Sequence, residues 1–182
     1  MRRILLLASA TAAVCCAAAG ADSFTPVRLA ITIAPVARLH QPLKVSVDVS
    51  ADPSVLDDAT GPLRIRVKLA GECGGTFSTT PGVTLLDRQL RPQPATGRPY
   101  DANASGSGKP TRYGSQTVCA FVEESGDNRM FADDTSNQVD VSRKCTSAAA
   151  TYDAARRRRA RASTLKAARR AARRACGPGV PL

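Results

Sequence analysis

The chain has 182 residues and a formal net charge of +11, with 26 Lys and Arg against 15 Asp and Glu, one His and no Trp. A single His and seven aromatic residues argue against histidine-based catalysis and against extended stacking platforms for sugars or unpaired bases. The length suits one domain plus an appendage.

Met1-Arg2-Arg3 is a short basic start, Ile4 to Ala18 is apolar and small, and Ala19-Gly20-Ala21 has the A-x-A pattern. Residues 1–21 therefore read as a signal peptide cleaved before Asp22, with Cys15 and Cys16 discarded with it. Ala13-Val14-Cys15 is not a lipobox, and no later stretch is long and apolar enough to span a bilayer. The mature protein is expected to be secreted or extracytoplasmic, and held at the envelope by charge if at all.

Strand patterns follow. Val27, Leu29, Ile31 and Ile33 alternate with polar or small residues, as do Leu43, Val45, Val47 and Val49, then Leu63, Ile65, Val67 and Leu69. Further strands are predicted over 83–90, 116–123 and 138–142. Thr117 to Val122 is apolar on both faces, as in a central strand. Ala51 to Ser54, Gly61-Pro62, Pro81-Gly82 and the Gly-, Pro- and Ser-rich stretch 91–113 read as connections. Arg64, Arg66 and Lys68 would form a basic row on a wet strand face.

Six or seven short half-wet strands over 22–144 predict a mainly β domain, a two-sheet antiparallel sandwich. The strand count resembles immunoglobulin-like and fibronectin-III-like architecture, without the Trp and Cys hallmarks of antibody domains. The whole is similar to secreted bacterial proteins that join such a sandwich to a Cys-bracketed Ala/Arg/Lys helix; that resemblance implies no particular activity. In such sandwiches the penultimate strand neighbours the third. This implies that Cys119 pairs with Cys73 inside the domain, leaving Cys145 for Cys176, although Cys145 could also pair with Cys73 or Cys119.

From Asp22 to Cys145 the chain carries 14 Lys and Arg and 14 Asp and Glu, so it is neutral. The mature excess lies between Cys145 and Cys176, with nine Arg, one Lys and one acid, Asp153. Lys166, Arg169, Arg170, Arg173 and Arg174 fall on one helical face, and Leu165, Ala168, Ala171, Ala172 and Ala175 on the other. Ser163 is a candidate N-cap, and Gly177-Pro178 is a stop signal. Arg156, Arg157, Arg158 and Arg159 point in all directions and belong near a helix end. A straight helix from Cys145 to Cys176 would be roughly 45 Å long, while a disulfide needs Cα atoms within about 7 Å. Pairing therefore implies a basic α-helical hairpin over 145–176 that folds back near Ala160 to Ser163, with residues 177–182 as a disordered tail.

The nine cations Arg156 to Arg159, Lys166, Arg169, Arg170, Arg173 and Arg174 are the candidate polyanion contacts. An anionic envelope polymer or lipid headgroups are the expected partners, and nucleic acid is less favoured. Arg outnumbers Lys 21 to 5, so the richness could also be a compositional by-product. The alternative is an extracellular protein-binding sandwich acting through its loops, with an inert solvated tail.

Sandwich topology would gather Asp52, Asp57 and Asp58 with Glu124, Asp127, Asp133 and Asp134 at the pole away from the tail. Asp52, Asp57, Asp58 and Asp127 are candidate ligands for a low-affinity Ca²⁺ site, though DxDxDG spacing is absent. No nucleophile elbow, HExxH or true P-loop occurs, and His40 lies alone in a loop. The chain is expected to be non-catalytic and to need no cofactor.

Overall fold

The computed structural model describes residues 27–51, 61–90, 100–126, 129–178 and 180–182. The signal-peptide assignment and the Ca²⁺ candidates Asp52, Asp57, Asp58 and Asp127 lie outside the described residues. The described elements are β1 (Val27–Ile33), β2 (Val36–Ala37), β3 (Leu43–Ala51), β4 (Leu63–Ala70), β5 (Val83–Gln89), β6 (Tyr100–Gly108), β7 (Gly114–Glu124), β8 (Met130–Asp134), β9 (Gln138–Val141), α1 (Arg143–Arg157) and α2 (Ala162–Cys176).

The fold is mainly β, with two sheets and a C-terminal pair of helices. One sheet runs β1-β3-β6; the other runs β2-β9-β7-β4-β5, with β8 paired to β7. The second sheet curls into a half-barrel. One pairing corrects the all-antiparallel expectation. Val36 and Ala37 run parallel to Asp140 and Val141, so the second sheet is mixed. The chain leaves β1 at Ile33 and crosses sheets through Ala34-Pro35, where Asp140 donates its backbone N–H to the Pro35 carbonyl.

Period-2 patterning explains the core. Val45, Val47 and Val49 of β3 face Ile65, Val67 and Leu69 of β4 and Val118, Ala120 and Val122 of β7, all buried. Burying each Val, Ile or Leu contributes about 1.5–3 kcal/mol. The strand β6 corrects the reading of 91–113 as a connection. Its Tyr100 and Ala104 are buried with Ala102 half-buried, a period-2 pattern carried by small residues that lack a strand-like apolar signal. A Cβ on Gly106 would overlap the Leu85 carbonyl oxygen, and one on Gly108 would lie 2.6 Å from that of Thr84. These glycines let β6 and β5, facing edges of different sheets, meet backbone to backbone.

The basic row also differs from expectation. On the outer face of the second sheet, Arg66 lies opposite Phe121 and Lys68 opposite Cys119. The segment after β4 folds over this face. Cys73 joins Cys119 there, with Cα atoms 5.7 Å apart, beside Ala70, Phe77 and Phe121. The clamp thus sits in a small outer cluster, with Cys73 beyond the end of β4 at Ala70. Lys68 donates to the Phe77 carbonyl at 2.8 Å and the Thr80 carbonyl at 2.7 Å, and its ammonium lies 4.2 Å from the Phe77 ring centroid. Glu123, 1% exposed, accepts from Arg66 at 3.0 Å and from the Phe77 backbone N–H at 2.8 Å. Arg66 and Lys68 are therefore structural.

Glu123→Ala strips both partners and is expected to destabilise the domain by about 3 kcal/mol. Urea unfolding measures this as a lowered midpoint. A change under about 0.5 kcal/mol, the range of ordinary surface substitutions, would refute the structural role.

A candidate polyanion-binding hairpin

α1 starts where β9 ends. Ser142 accepts from the Cys145 backbone N–H at 3.3 Å and caps the helix, so the predicted strand over 138–142 closes at Val141. α1 stops at Arg157, and Arg159 adopts φ 51°, in the left-handed region. The next helix begins at Ala162, with Arg161 at its N-cap and no side-chain cap bond. Ser163, predicted as the cap, lies one residue inside α2. The chain thus reverses over Arg158 to Arg161.

Cys145 joins Cys176 at the base of the hairpin, with Cα atoms 4.6 Å apart. The seam is built from Cys145 and Ala149 of α1 and Ala172 and Cys176 of α2, all buried. Leu165, Ala168 and Ala175 are half-buried along it, whereas Ala171, predicted on the apolar face, is exposed. The Ala-rich seam lets the backbones approach but buries little apolar area. Each helix has 15 residues, about 22 Å of axis, so the tip stands well away from the base.

All nine candidate contacts are exposed. Arg156, Arg157, Arg158 and Arg159 crowd the tip, and Lys166, Arg169, Arg170, Arg173 and Arg174 line α2. Arg161 completes the tip; it was overlooked because it fell within the anticipated turn. The hairpin's lone acid is spent elsewhere: Asp153 pairs with Arg38 of the β2–β3 connection at 2.8 Å. Arg38 also donates to the Pro181 carbonyl at 3.3 Å, and the Leu39 backbone N–H donates to Thr146 Oγ1 at 3.1 Å. α1 is thereby docked along the edge strand β2.

The last residues pack rather than trail, unlike the expected disordered tail. Gly177, with φ 73°, ends α2 in a conformation that favours glycine. Val180 is buried against the Cys145–Cys176 cluster, with Val36 and Leu182 half-buried beside it, and Arg173 donates to the Val180 carbonyl at 3.3 Å. This apolar contact holds Val180 and Leu182 against the base of the hairpin.

More cations gather near the start of α1. Arg143 stacks over the ring of Tyr113, 4.8 Å from its centroid, and Lys109, Arg112 and Lys144 are exposed. No sequence periodicity links them; β7 and β9 pair so that Gly114 lies opposite Val141. Glu124 closes the far end of β7, buried opposite Leu63. Asp133 and Asp134 belong to β8 rather than to a loop. Among the described residues no group of three or more acids, cysteines or histidines is placed to hold a metal, and no helix is long and apolar enough to cross a membrane.

Arg38→Ala removes the partner of Asp153 and the tie to the Pro181 carbonyl. The expected cost is about 1–2 kcal/mol, since the pair is part-buried. Amide hydrogen exchange should accelerate in α1 while β4 and β7 stay protected; unchanged α1 protection would refute the docking role.

No known protein family matches the chain, and no curated protein matches it in sequence.

Proposed function

We propose that the protein is a non-catalytic, exported binding protein that attaches to anionic surfaces of the cell envelope through its cationic hairpin. The carrying observation is the asymmetry of the hairpin: its one carboxylate is turned inward onto Arg38, and its exposed surface carries cations. Arginine suits phosphate-bearing partners because its guanidinium offers paired donors. The polyanion is lipid headgroups or an envelope polymer; nucleic acid carries the same chemistry. An inert solvated tail has no use for a disulfide, a part-buried ion pair and a buried Val180, and this favours the binding reading.

The two disulfides fit an extracytoplasmic site of action. The body of the protein is read as an immunoglobulin-like, fibronectin-III-like sandwich. Supporting this are the strand orders β1-β3-β6 and β5-β4-β7-β9, with an edge segment switching sheets at Pro35.

The test is a salt titration of binding to vesicles of phosphatidylglycerol mixed with phosphatidylcholine, beside vesicles of phosphatidylcholine alone. Binding confined to the anionic vesicles, and falling steeply with salt, is expected. Equal binding to both would overturn the electrostatic reading.

A further inference from the structure

Between the C-terminal turn and the β1-β3-β6 sheet lies a groove of about 1010 Å³. This is at the upper end of the range of small-molecule sites, about 300–1,000 Å³. One wall is the crossing from β1 to β2, including Ile33 and Val36; the other includes Val180 and Pro181 of the terminal turn. Its floor is the start of β3 with Ser105 to Ser107 of β6. Pro35, Pro42, Pro178 and Pro181 stiffen the rim.

The lining is of one electrostatic sign. It contains Arg38, Lys44 and Arg173, and no acid. Arg38 is paired with Asp153, whereas Lys44 and Arg173 form no ion pair among the described residues. Both are exposed. The lining also has no aromatic side chain, so a sugar would lack a stacking surface there. An apolar trough with cations that lack a carboxylate partner suits a ligand that has a chain at one end and an anion at the other.

We infer that this groove binds one molecule of an anionic single-chain lipid, with the acyl chain along Ile33, Val36 and Val180 and the phosphate at Lys44 and Arg173. The inference deepens the anionic-surface reading and rests on it for the choice of phosphate. The hairpin tip would attract many headgroups without holding any one; the groove would hold one lipid by its chain.

The test is native mass spectrometry and isothermal titration with the full mature chain. Lysophosphatidylglycerol is used below its micelle concentration, with lysophosphatidylcholine and glycerol 3-phosphate as comparisons. One lysophosphatidylglycerol per chain is expected, with at least about tenfold weaker binding of each comparison compound. Lys44→Glu should weaken it about tenfold or more by replacing attraction with repulsion. Ser107→Phe, at an exposed strand position, should block the trough without disturbing the fold; a circular dichroism spectrum checks this. The Arg156 to Arg159→Gln variant should keep one-to-one binding while losing vesicle binding.

Several outcomes would overturn the groove. These are no complex, more than one lipid per chain, equal affinity for either comparison compound, or indifference to Ser107→Phe. Failure of the wild-type chain to bind anionic vesicles, with its one-to-one lipid complex intact, would count against the hairpin reading and leave the groove standing.

Discussion

Replacing Arg156, Arg157, Arg158 and Arg159 together by Gln is expected to weaken binding to phosphatidylglycerol vesicles by roughly a thousandfold. Each basic residue near an anionic leaflet contributes about 1 kcal/mol, so four amount to about 4 kcal/mol. The four side chains are exposed and take no part in the seam or the docking contacts. The fold should therefore survive, and its melting temperature should hold or rise as like charges are removed. Vesicle sedimentation at low and physiological salt measures the change. A companion variant with four Lys in these positions separates charge from shape: it should keep most of the affinity for a fluid lipid surface and lose more for a ligand that engages guanidinium groups in pairs. Wild-type binding by the Gln variant would remove the hairpin tip from the interface.

The second large effect concerns the Cys145–Cys176 bond. The cysteines are 31 residues apart in sequence, and closing a loop of that size contributes about 3–4 kcal/mol. Little else holds the helices together. The cluster at their base is Cys145, Ala149, Cys176 and Val180, and isolated helices of 15 residues are marginal in water. Like charges on both helices also oppose closure. Changing both cysteines to Ser is thus expected to melt the hairpin while leaving the β core folded. Far-UV circular dichroism should lose its helical component and keep its strand component; helicity equal to wild type in the double variant would refute this. Raised salt should restore part of the helix by screening the arginines.

Much of this could be read from the chain, and the omissions have physical causes. β1, β3 and β4 announce themselves through strict alternation of branched residues with polar ones. The hairpin was legible because a helix spanning two paired cysteines must fold back on itself. β6 was hidden because its inward positions include Ala102, Ala104, Gly106 and Gly108, chosen for close sheet contact rather than hydrophobicity. The fate of Arg66 and Lys68 depended on the segment that folds over them. A strand records which residues share a face but not whether a loop will close over it. Arg38 gave no signal either: its role arises only when β2 joins β9 and brings the β2–β3 connection alongside α1. The cations around Tyr113 are likewise a product of topology.

The position of the disulfide has a further consequence for the exported protein proposed above, in the presence of proteases. Arg156 to Arg159 are exposed, consecutive cut sites for trypsin-like enzymes, and they lie around the turn at the far end of the hairpin from the bond. A break there severs the backbone but releases no fragment, because α1 and α2 remain covalently joined at their base. Scission of this exposed segment thus removes little, and most of its cationic surface would outlast the first cut.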